Sequence, residues 1–125
     1  MHIIFNAQKI NYDKIKKYID NNGVIIYPTD TVYGVGARIS SEEALIKIYA
    51  AKSRNFSSPL IALVSDKEIV EKIADIPEVN KVKFGKLTEK FWPGGLTIIL
   101  EKKDVVPDIM VSNGKTVGVR MPDHK

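Results

Sequence analysis

The sequence contains no cysteine and only two histidines, His2 and His124, at opposite ends of its 125 residues. The lack of cysteine excludes disulfide bonds, thiolate catalysis and cysteine-based zinc sites. Two histidines so far apart do not predict a histidine-based catalytic triad or a multi-histidine metal site. We therefore predict no protein metal site, and any phosphate chemistry must depend on hydroxyls, backbone amides and cationic side chains.

Long apolar segments and the common nucleotide-binding loops are also missing. No apolar run approaches the roughly 20 residues that a membrane-spanning helix needs. The first residues lack the charged start and the cleavage site of a signal peptide. We therefore expect a cytoplasmic protein with no membrane partner. Neither Gly-x-x-x-x-Gly-Lys-Ser/Thr nor Gly-x-Gly-x-x-Gly occurs in the chain.

The composition is that of one ordinary globular domain. Hydrophobic residues make up 44% of the chain and charged residues 27%, a mixture that can bury a single core. The 19 lysines and arginines exceed the 15 acids and give a net charge of +4. This excess fits an anionic ligand such as a nucleotide or RNA, and it equally fits a basic surface that only keeps the protein soluble.

The most informative stretch covers residues 24–36. Residues 24–27 have the composition of a buried strand, and Pro28 ends it because proline cannot donate to a sheet. Short polar side chains follow at residues 29–31, and Gly34 and Gly36 permit unusual backbone angles and close approach. A strand that opens into such a loop is a common ligand site in α/β sheets, although a helix cap or a tight turn would have the same pattern.

Strand-like and helical patterns alternate along the chain, which predicts an α/β fold. Strands are predicted at residues 2–5, 24–27, 60–64, 96–100 and 117–121, and helices after the caps Asn11, Ser40 and Ser65 or Asp66 and over residues 77–90. Gly23 is expected to end the first helix. The predicted core positions at the last helix are Val79, Val82, Leu87 and Phe91.

Three cationic side chains are candidates for binding an anion. Lys52 falls at helical spacing from an apolar stripe, which predicts a buried ammonium that needs a carboxylate or an anionic ligand. Lys52 and Arg54 could instead compensate the dipole at the end of their helix. Arg120 shares its strand face with Thr116 and Gly118, which leaves space beside the guanidinium. It could also be an ordinary exposed strand arginine.

Four segments together resemble the YrdC-like family, the L-threonylcarbamoyladenylate synthases. The segments are Tyr-Pro-Thr-Asp-Thr-Val-Tyr-Gly-Val-Gly at 27–36, Ala-Lys-Ser-Arg at 51–54 with Pro-Leu at 59–60, Phe-Trp-Pro-Gly-Gly-Leu-Thr-Ile-Ile-Leu at 91–100, and Val-Gly-Val-Arg-Met-Pro-Asp-His at 117–124. Their order and spacing match the family from Asn22 onward. The resemblance implies a twisted mixed β-sheet flanked by helices around a positively charged cavity.

The resemblance also implies an activity and a set of site residues. The family makes threonylcarbamoyl-AMP from L-threonine, bicarbonate and ATP, releases pyrophosphate, and so supplies the machinery that modifies tRNA with threonylcarbamoyladenosine. By matching position, Thr31 and Arg120 would bind threonine, and Leu63 would line the threonine pocket through its backbone. Lys52 and Arg54, the implied catalytic cations, would face the nucleotide, as would the two hydroxyl residues Ser58 and Thr116. Mg²⁺ is expected on the triphosphate and not in a dedicated protein site.

The chain departs from the family pattern in three ways. Gly95 and Asn55 occupy loop positions where the family commonly has proline. Family members also continue into a helix, a Ser-Ala-Asn loop and further strands. We therefore expect residues 1–125 to be a C-terminally incomplete YrdC-like domain with little or no activity alone. Its unpaired sheet edge would favour dimerisation.

Two alternative functions accompany this prediction. The same fold could serve as a module that binds double-stranded RNA or tRNA without synthase activity, as the basic charge suggests. The related domain of hydrogenase-maturation carbamoyltransferases is the other alternative. That domain normally lies in a much longer chain with zinc-finger cysteines, and this sequence has no cysteine.

Overall fold

The structure, a computed structural model, describes residues 9–124, so the predicted strand 2–5 lies outside the described residues. The helices are α1 (Tyr12–Asp20), α2 (Glu42–Ala51), α3 (Lys67–Ile73), α4 (Glu78–Phe91) and a 3₁₀ turn at Asp108–Val111. The strands are β1 (Ile25–Tyr27), β2 (Gly34–Gly36), β3 (Ile61–Leu63), β4 (Ala74–Asp75), β5 (Thr97–Lys102) and β6 (Thr116–Arg120). No helix among the described residues is both long and apolar enough to cross a membrane.

The strands form a four-stranded mixed sheet and a separate two-stranded hairpin. The sheet has the order β3-β6-β5-β4, and the hairpin pairs β1 with β2. Strand β6 pairs parallel with β3 and antiparallel with β5. This arrangement confirms the predicted α/β class with a mixed sheet and flanking helices.

The core lies around strand β6 and the helices beside it. Val117 and Val119 are 1% and 0% exposed, and α2 buries Leu45, Ile48 and Tyr49 as its predicted stripe required. Each fully buried aliphatic side chain stabilises the fold by about 1.5–3 kcal/mol. This core holds β6 in place, and with it the arginine at its end.

Two helix caps follow the sequence prediction and one is shifted. Asn11 caps α1 through a bond to Lys14 N, and Asp66, one of the two predicted candidates, caps α3 through a bond to Ile69 N. The prediction that Ser40 caps α2 is wrong. Ser41 is the cap, and its hydroxyl accepts from Ala44 N at 3.1 Å while it donates to Asn22 Oδ1 at 2.6 Å. The second bond links the end of α1 to the start of α2.

The end of α1 also differs from the simple glycine stop. Asn22, and not Gly23, takes the left-handed conformation, with a φ of 60°. Gly23 is buried against the Tyr18 ring, where an added Cβ would collide with the ring and with the Tyr18 carbonyl. Gly23 is therefore needed for close approach, and Asn22 supplies the unusual backbone angle that asparagine tolerates.

The predicted core face of α4 is largely wrong. Val79, Val82 and Phe91 are 89%, 71% and 44% exposed, and of the four predicted positions only Leu87 is half-buried. The inward face instead carries Thr88, which is 0% exposed, together with Phe84, whose ring meets the Trp92 ring edge-on at 5.9 Å. Since both faces carry apolar residues at helical spacing, periodicity alone selected the wrong one.

Strand β1 is less buried than its composition suggested. Ile26 is 74% exposed, and among residues 9–124 β1 pairs with β2 alone. The prediction of a fully buried strand at residues 24–27 is therefore wrong, because this strand belongs to the hairpin and not to the central sheet.

Candidate functional site

A cavity of about 790 Å³ lies between the hairpin and the sheet. It is lined by the loop 28–33 after β1, the hairpin itself, strand β3, the segment after α2 and the end of β6. Its lining includes five of the predicted site residues: Thr31, Lys52, Arg54, Leu63 and Arg120. The fold therefore gathers into one cavity residues that are far apart in the sequence.

Arg120 is anchored in this cavity by three hydrogen bonds. Its Nε donates to the carbonyl of Gly94 at 2.9 Å, and its Nη1 donates to the Thr31 hydroxyl at 3.2 Å. Its Nη2 forms an ion pair with Asp30 Oδ1. The Arg120 and Asp30 side chains are only 11% and 18% exposed, so this pair is much better shielded from solvent than an ordinary surface salt bridge. The alternative of an ordinary exposed strand arginine is wrong.

The loop 28–33 has an internal network that orients its hydroxyls. Thr29 Oγ1 donates to Val32 O at 2.6 Å and accepts from Thr31 N at 3.2 Å. The two threonine hydroxyls lie 3.1 Å apart. Because the Thr29 proton goes to Val32, the Thr31 hydroxyl can donate to Thr29 while it accepts from Arg120. The loop thus holds Thr31 at the guanidinium.

Tyr27 packs across the hairpin, and the two glycines of β2 make room for it. A Cβ at Gly34 would lie 2.7 Å from the Tyr27 ring, and a Cβ at Gly36 would lie 2.6 Å from it. Neither glycine has a positive φ, so close approach is the reason for both. Burial raises the pKa of the Tyr27 phenol, and the charge of Arg120 partly opposes this shift. Tyr27 therefore presents a neutral phenol to the cavity.

Leu63 enters the site through the register of the sheet. Strand β3 runs parallel to β6, and Leu63 is paired with Arg120. Leu63 is half-buried and lines the cavity. The two residues are therefore neighbours at the same end of the sheet, which is where a parallel pair of strands usually meets a ligand.

Lys52 and Arg54 line the cavity in different ways. Lys52 is the C-cap of α2 and is exposed, so the prediction that its ammonium is buried on the apolar face is wrong. The helix ends before Lys52 can continue the stripe. Among residues 9–124, no side-chain hydrogen bond or ion pair of Lys52 is found, and its charge remains available to a ligand. Arg54 donates from Nε to Ser58 O at 3.3 Å and from Nη2 to Pro59 O at 3.0 Å.

Two predicted nucleotide-binding residues are not among the residues that line the cavity. Ser58 is half-buried, and its carbonyl accepts hydrogen bonds from Arg54 and from the buried Tyr49. Thr116 begins β6, at the end of the strand opposite Arg120, and is exposed. Their assignment to the nucleotide stays a prediction.

Three groups that build the site do not belong to the predicted site residues. They are the Asp30 carboxylate, the Gly94 carbonyl and the Tyr27 ring. Asp30 belongs to the polar loop that the sequence singles out, but its partner lies 90 residues further along the chain. Only the topology of the sheet reveals that contact. The sequence offered no signal for the Gly94 carbonyl.

Comparison with known proteins agrees with the motifs. A family profile that covers Sua5, YciO and YrdC, described as "Telomere recombination", matches residues 17–125. The chain belongs to this family. A putative threonylcarbamoyl-AMP synthase of Methanocaldococcus jannaschii is 42% identical over 110 residues, which are 88% of this chain and 50% of that protein. The threonylcarbamoyl-AMP synthase of Pyrococcus abyssi is 38% identical over 130 residues, with 100% of this chain and 37% of that protein covered.

Solved structures support the fold of this family member. A doubly substituted Sua5 of P. abyssi superimposes with a TM-score of 0.89 at 38% identity and covers 100% of this chain and 37% of that one. A crystal structure of P. abyssi Sua5 complexed with L-threonine gives a TM-score of 0.83 at 38% identity, over 93% of this chain and 34% of that one. The resemblance to the YrdC-like family is confirmed. The chain spans half or less of the length of these relatives.

Proposed function

We propose that this chain carries the threonine-binding and part of the nucleotide-binding site of an L-threonylcarbamoyl-AMP synthase. The observation that carries the proposal is the meeting of Arg120 with Thr31 and Leu63 in one cavity. A partly anchored guanidinium beside a hydroxyl and an apolar side chain suits the carboxylate, the side-chain hydroxyl and the methyl group of threonine. The similarity to P. abyssi Sua5, for which a complex with L-threonine is known, supports it.

The proposed reaction needs little from the protein beyond position and charge. The amine of threonine attacks bicarbonate, and loss of water leaves a carbamate. A carbamate oxygen then attacks the α-phosphorus of ATP, the bond to the β-phosphate breaks, and pyrophosphate leaves. Such a phosphoryl transfer is accelerated mainly by alignment and by neutralisation of charge. A protein with no cysteine can therefore perform it.

Lys52 and Arg54 are the proposed nucleotide-facing cations, and they carry the catalytic role. Lys52 has a solvent-exposed ammonium at the cavity wall, which suits a mobile contact with phosphate oxygens. Arg54 uses two of its donors on the backbone of the loop that follows it and keeps others for the phosphates. Ser58 and Thr116 are proposed to complete this half of the site. Mg²⁺ would enter as part of the Mg·ATP substrate.

The proposed partners follow from the reaction. ATP and bicarbonate are the other substrates, and the product would pass to the machinery that transfers the threonylcarbamoyl group to tRNA. Direct contact with double-stranded RNA or tRNA and a dimer through a sheet edge remain predictions. In the sheet that residues 9–124 form, the outer strands β3 and β4 have three and two residues.

The test measures L-threonine binding by calorimetry and pyrophosphate release in the presence of ATP, L-threonine and bicarbonate. We expect threonine binding, and we expect any pyrophosphate release to require all three substrates. Lys52→Ala should weaken ATP binding. Lys47→Ala, which removes an exposed lysine paired with Glu43 on the same helix, should not. Absence of threonine binding, or pyrophosphate release without threonine, would contradict the proposal.

A further inference from the structure

The Arg120 guanidinium is held by three anchors from two separate parts of the chain. Gly94 lies in the turn before β5, whereas Asp30 and Thr31 lie in the loop after β1. Since an arginine side chain has five N–H bonds, two of them remain for a ligand. The anchors therefore fix the plane of the guanidinium without using up its capacity to bind a carboxylate.

Asp30 is the only charged group among the three anchors, and its place needs an explanation. A carboxylate that is 18% exposed repels an anionic ligand nearby, so it weakens a carboxylate-binding site unless it has another effect. Asp30 can change the affinity for the substrate in two opposite ways. Asp30 either occupies Arg120 and competes with the substrate, or it holds Arg120 in the orientation that the substrate needs.

The geometry favours orientation. Asp30 meets Nη2 alone, through one carboxylate oxygen, and does not form the two-bond fork that a competing carboxylate would form. Thr31 occupies Nη1 and Gly94 occupies Nε, so the three anchors contact three different nitrogens. The loop 28–33 is then attached to β6 through the same guanidinium that faces the cavity.

We propose that Asp30 is a positioning residue, which orients Arg120 to receive the carboxylate of L-threonine. This inference rests on the proposed function, because it takes L-threonine as the ligand of Arg120. Asp30 does not touch the reacting atoms. Its effect is on threonine affinity, through the direction of the two free N–H bonds and through the position of the Thr31 hydroxyl beside them.

The experiment compares the wild type with Asp30→Ala, Asp30→Asn and the control Asp108→Asn. Asp108 also pairs with a shielded cation: its Oδ1 lies 3.0 Å from Lys102 Nζ, and the Lys102 side chain is 13% exposed. Asp108 does not line the cavity. Calorimetry measures the affinity of each protein for L-threonine and, separately, for ATP. Thermal unfolding of each variant is measured in parallel.

We expect Asp30→Ala to weaken L-threonine binding by about tenfold or more, the effect of losing a charge-assisted hydrogen bond. Asp30→Asn should be intermediate, because its amide oxygen still accepts from Arg120. ATP affinity should change little in either variant, and Asp108→Asn should bind both ligands as the wild type does. Where turnover is measurable, the KM for threonine should rise more than kcat falls.

Other outcomes separate this inference from the proposed function. Unchanged or tighter threonine binding in both Asp30 variants overturns the positioning role, and tighter binding shows that Asp30 competes with the substrate. Equal losses of threonine and ATP affinity with a lower unfolding temperature indicate a purely structural role, which also overturns it. If the wild type does not bind L-threonine, the proposed function itself fails.

Discussion

The four-stranded sheet and the β1–β2 hairpin differ in the interactions that stabilise each of them. The sheet is centred on β6, where Val117, Gly118 and Val119 are all buried between neighbouring strands. The hairpin consists of two three-residue strands, and no residue in either strand is buried. Since a two-stranded hairpin is at best marginally stable alone, its position depends on contacts with the rest of the molecule.

Some of those contacts lie at the cavity, and Val35 of β2 also packs against the buried core. Arg120 joins the loop 28–33 to the sheet through Asp30 and Thr31, whereas Tyr27 packs closely on the two glycines of β2 within the hairpin itself. The sheet is thus stabilised by burial of apolar surface, whereas the hairpin has no buried residue and is attached in part by the directional contacts of Arg120. Substitutions in the two regions should therefore have different consequences.

The largest effect is expected for Arg120→Ala, because this residue belongs to both regions. The substitution leaves the Asp30 carboxylate, 18% exposed, without its cation, and we expect a loss of about 3 kcal/mol in the free energy of unfolding. L-threonine binding should be lost. Urea unfolding and calorimetry measure the two effects.

The control for Arg120→Ala is Arg38→Ala, which removes an exposed arginine paired with Asp20 at 3.3 Å. This substitution should cost at most about 1 kcal/mol. Equal costs for the two arginine variants would show that the shielding of Arg120 has no energetic importance.

Val70→Ala should weaken the sheet region without altering the cavity. Val70 is 0% exposed on α3, so loss of its two methyl groups should cost about 2 kcal/mol in the free energy of unfolding. Threonine affinity, measured well below the unfolding temperature, should not change. Ile26→Ala, on the 74% exposed face of the hairpin, should stay within about 0.5 kcal/mol of the wild type. Weakened threonine binding by the Val70 variant would contradict the view that the core beside the sheet and the cavity can be altered independently.

The sequence predicted the sheet region better than the hairpin region. Local patterns sufficed for α2, whose stripe of Leu45, Ile48 and Tyr49 is buried, and for the alternation of strands and helices. The prediction of the core face of α4 failed because two faces of this helix carry apolar residues at the same helical spacing. The prediction that β1 is buried failed because composition does not reveal that, within the described part of the chain, this strand pairs with β2 and not with the central sheet.

For the cavity, the sequence identified residues but not the contacts between them. Motif resemblance selected Thr31, Leu63 and Arg120, and the structure brings all three together. The Asp30–Arg120 pair spans 90 residues, and Lys52 is exposed because α2 ends one residue earlier. Both depend on where elements end and meet in space, which spacing along the chain does not encode.

Gly36→Ala should damage the hairpin while the sheet remains folded. The new Cβ would lie 2.6 Å from the Tyr27 ring, so the ring must move, at a cost of about 1 to 2 kcal/mol. Because Tyr27 lines the cavity, threonine affinity should fall as well. Urea unfolding and calorimetry report these changes.

Gly85→Ala is the matched control for Gly36→Ala. An added Cβ at Gly85 meets nothing within 4 Å, and alanine favours the helix α4 by about 0.5–1 kcal/mol over glycine. This variant should therefore be more stable than the wild type and should bind threonine equally well. Destabilisation by both substitutions would mean that close packing on Tyr27 does not explain Gly36.

The smallest expected effect is a pH dependence of stability that arises from Asp66, the N-cap of α3. The hydrogen bond from Ile69 N, and next the Ser65 hydroxyl, lower the pKa of Asp66 below its ordinary value of 3.8. The stabilisation that the ionised Asp66 carboxylate gives to the folded state is therefore complete above pH 3.8. It is lost as the pH falls through the lower pKa that Asp66 has in the folded state. Asp66→Asn should lower the unfolding temperature slightly above this range, and the difference from the wild type should shrink as the pH falls through it. Threonine binding at neutral pH should be unaffected, since Asp66 caps α3 outside the cavity. A difference that grows toward acid would show that the folded state raises the pKa of Asp66, against the capping geometry.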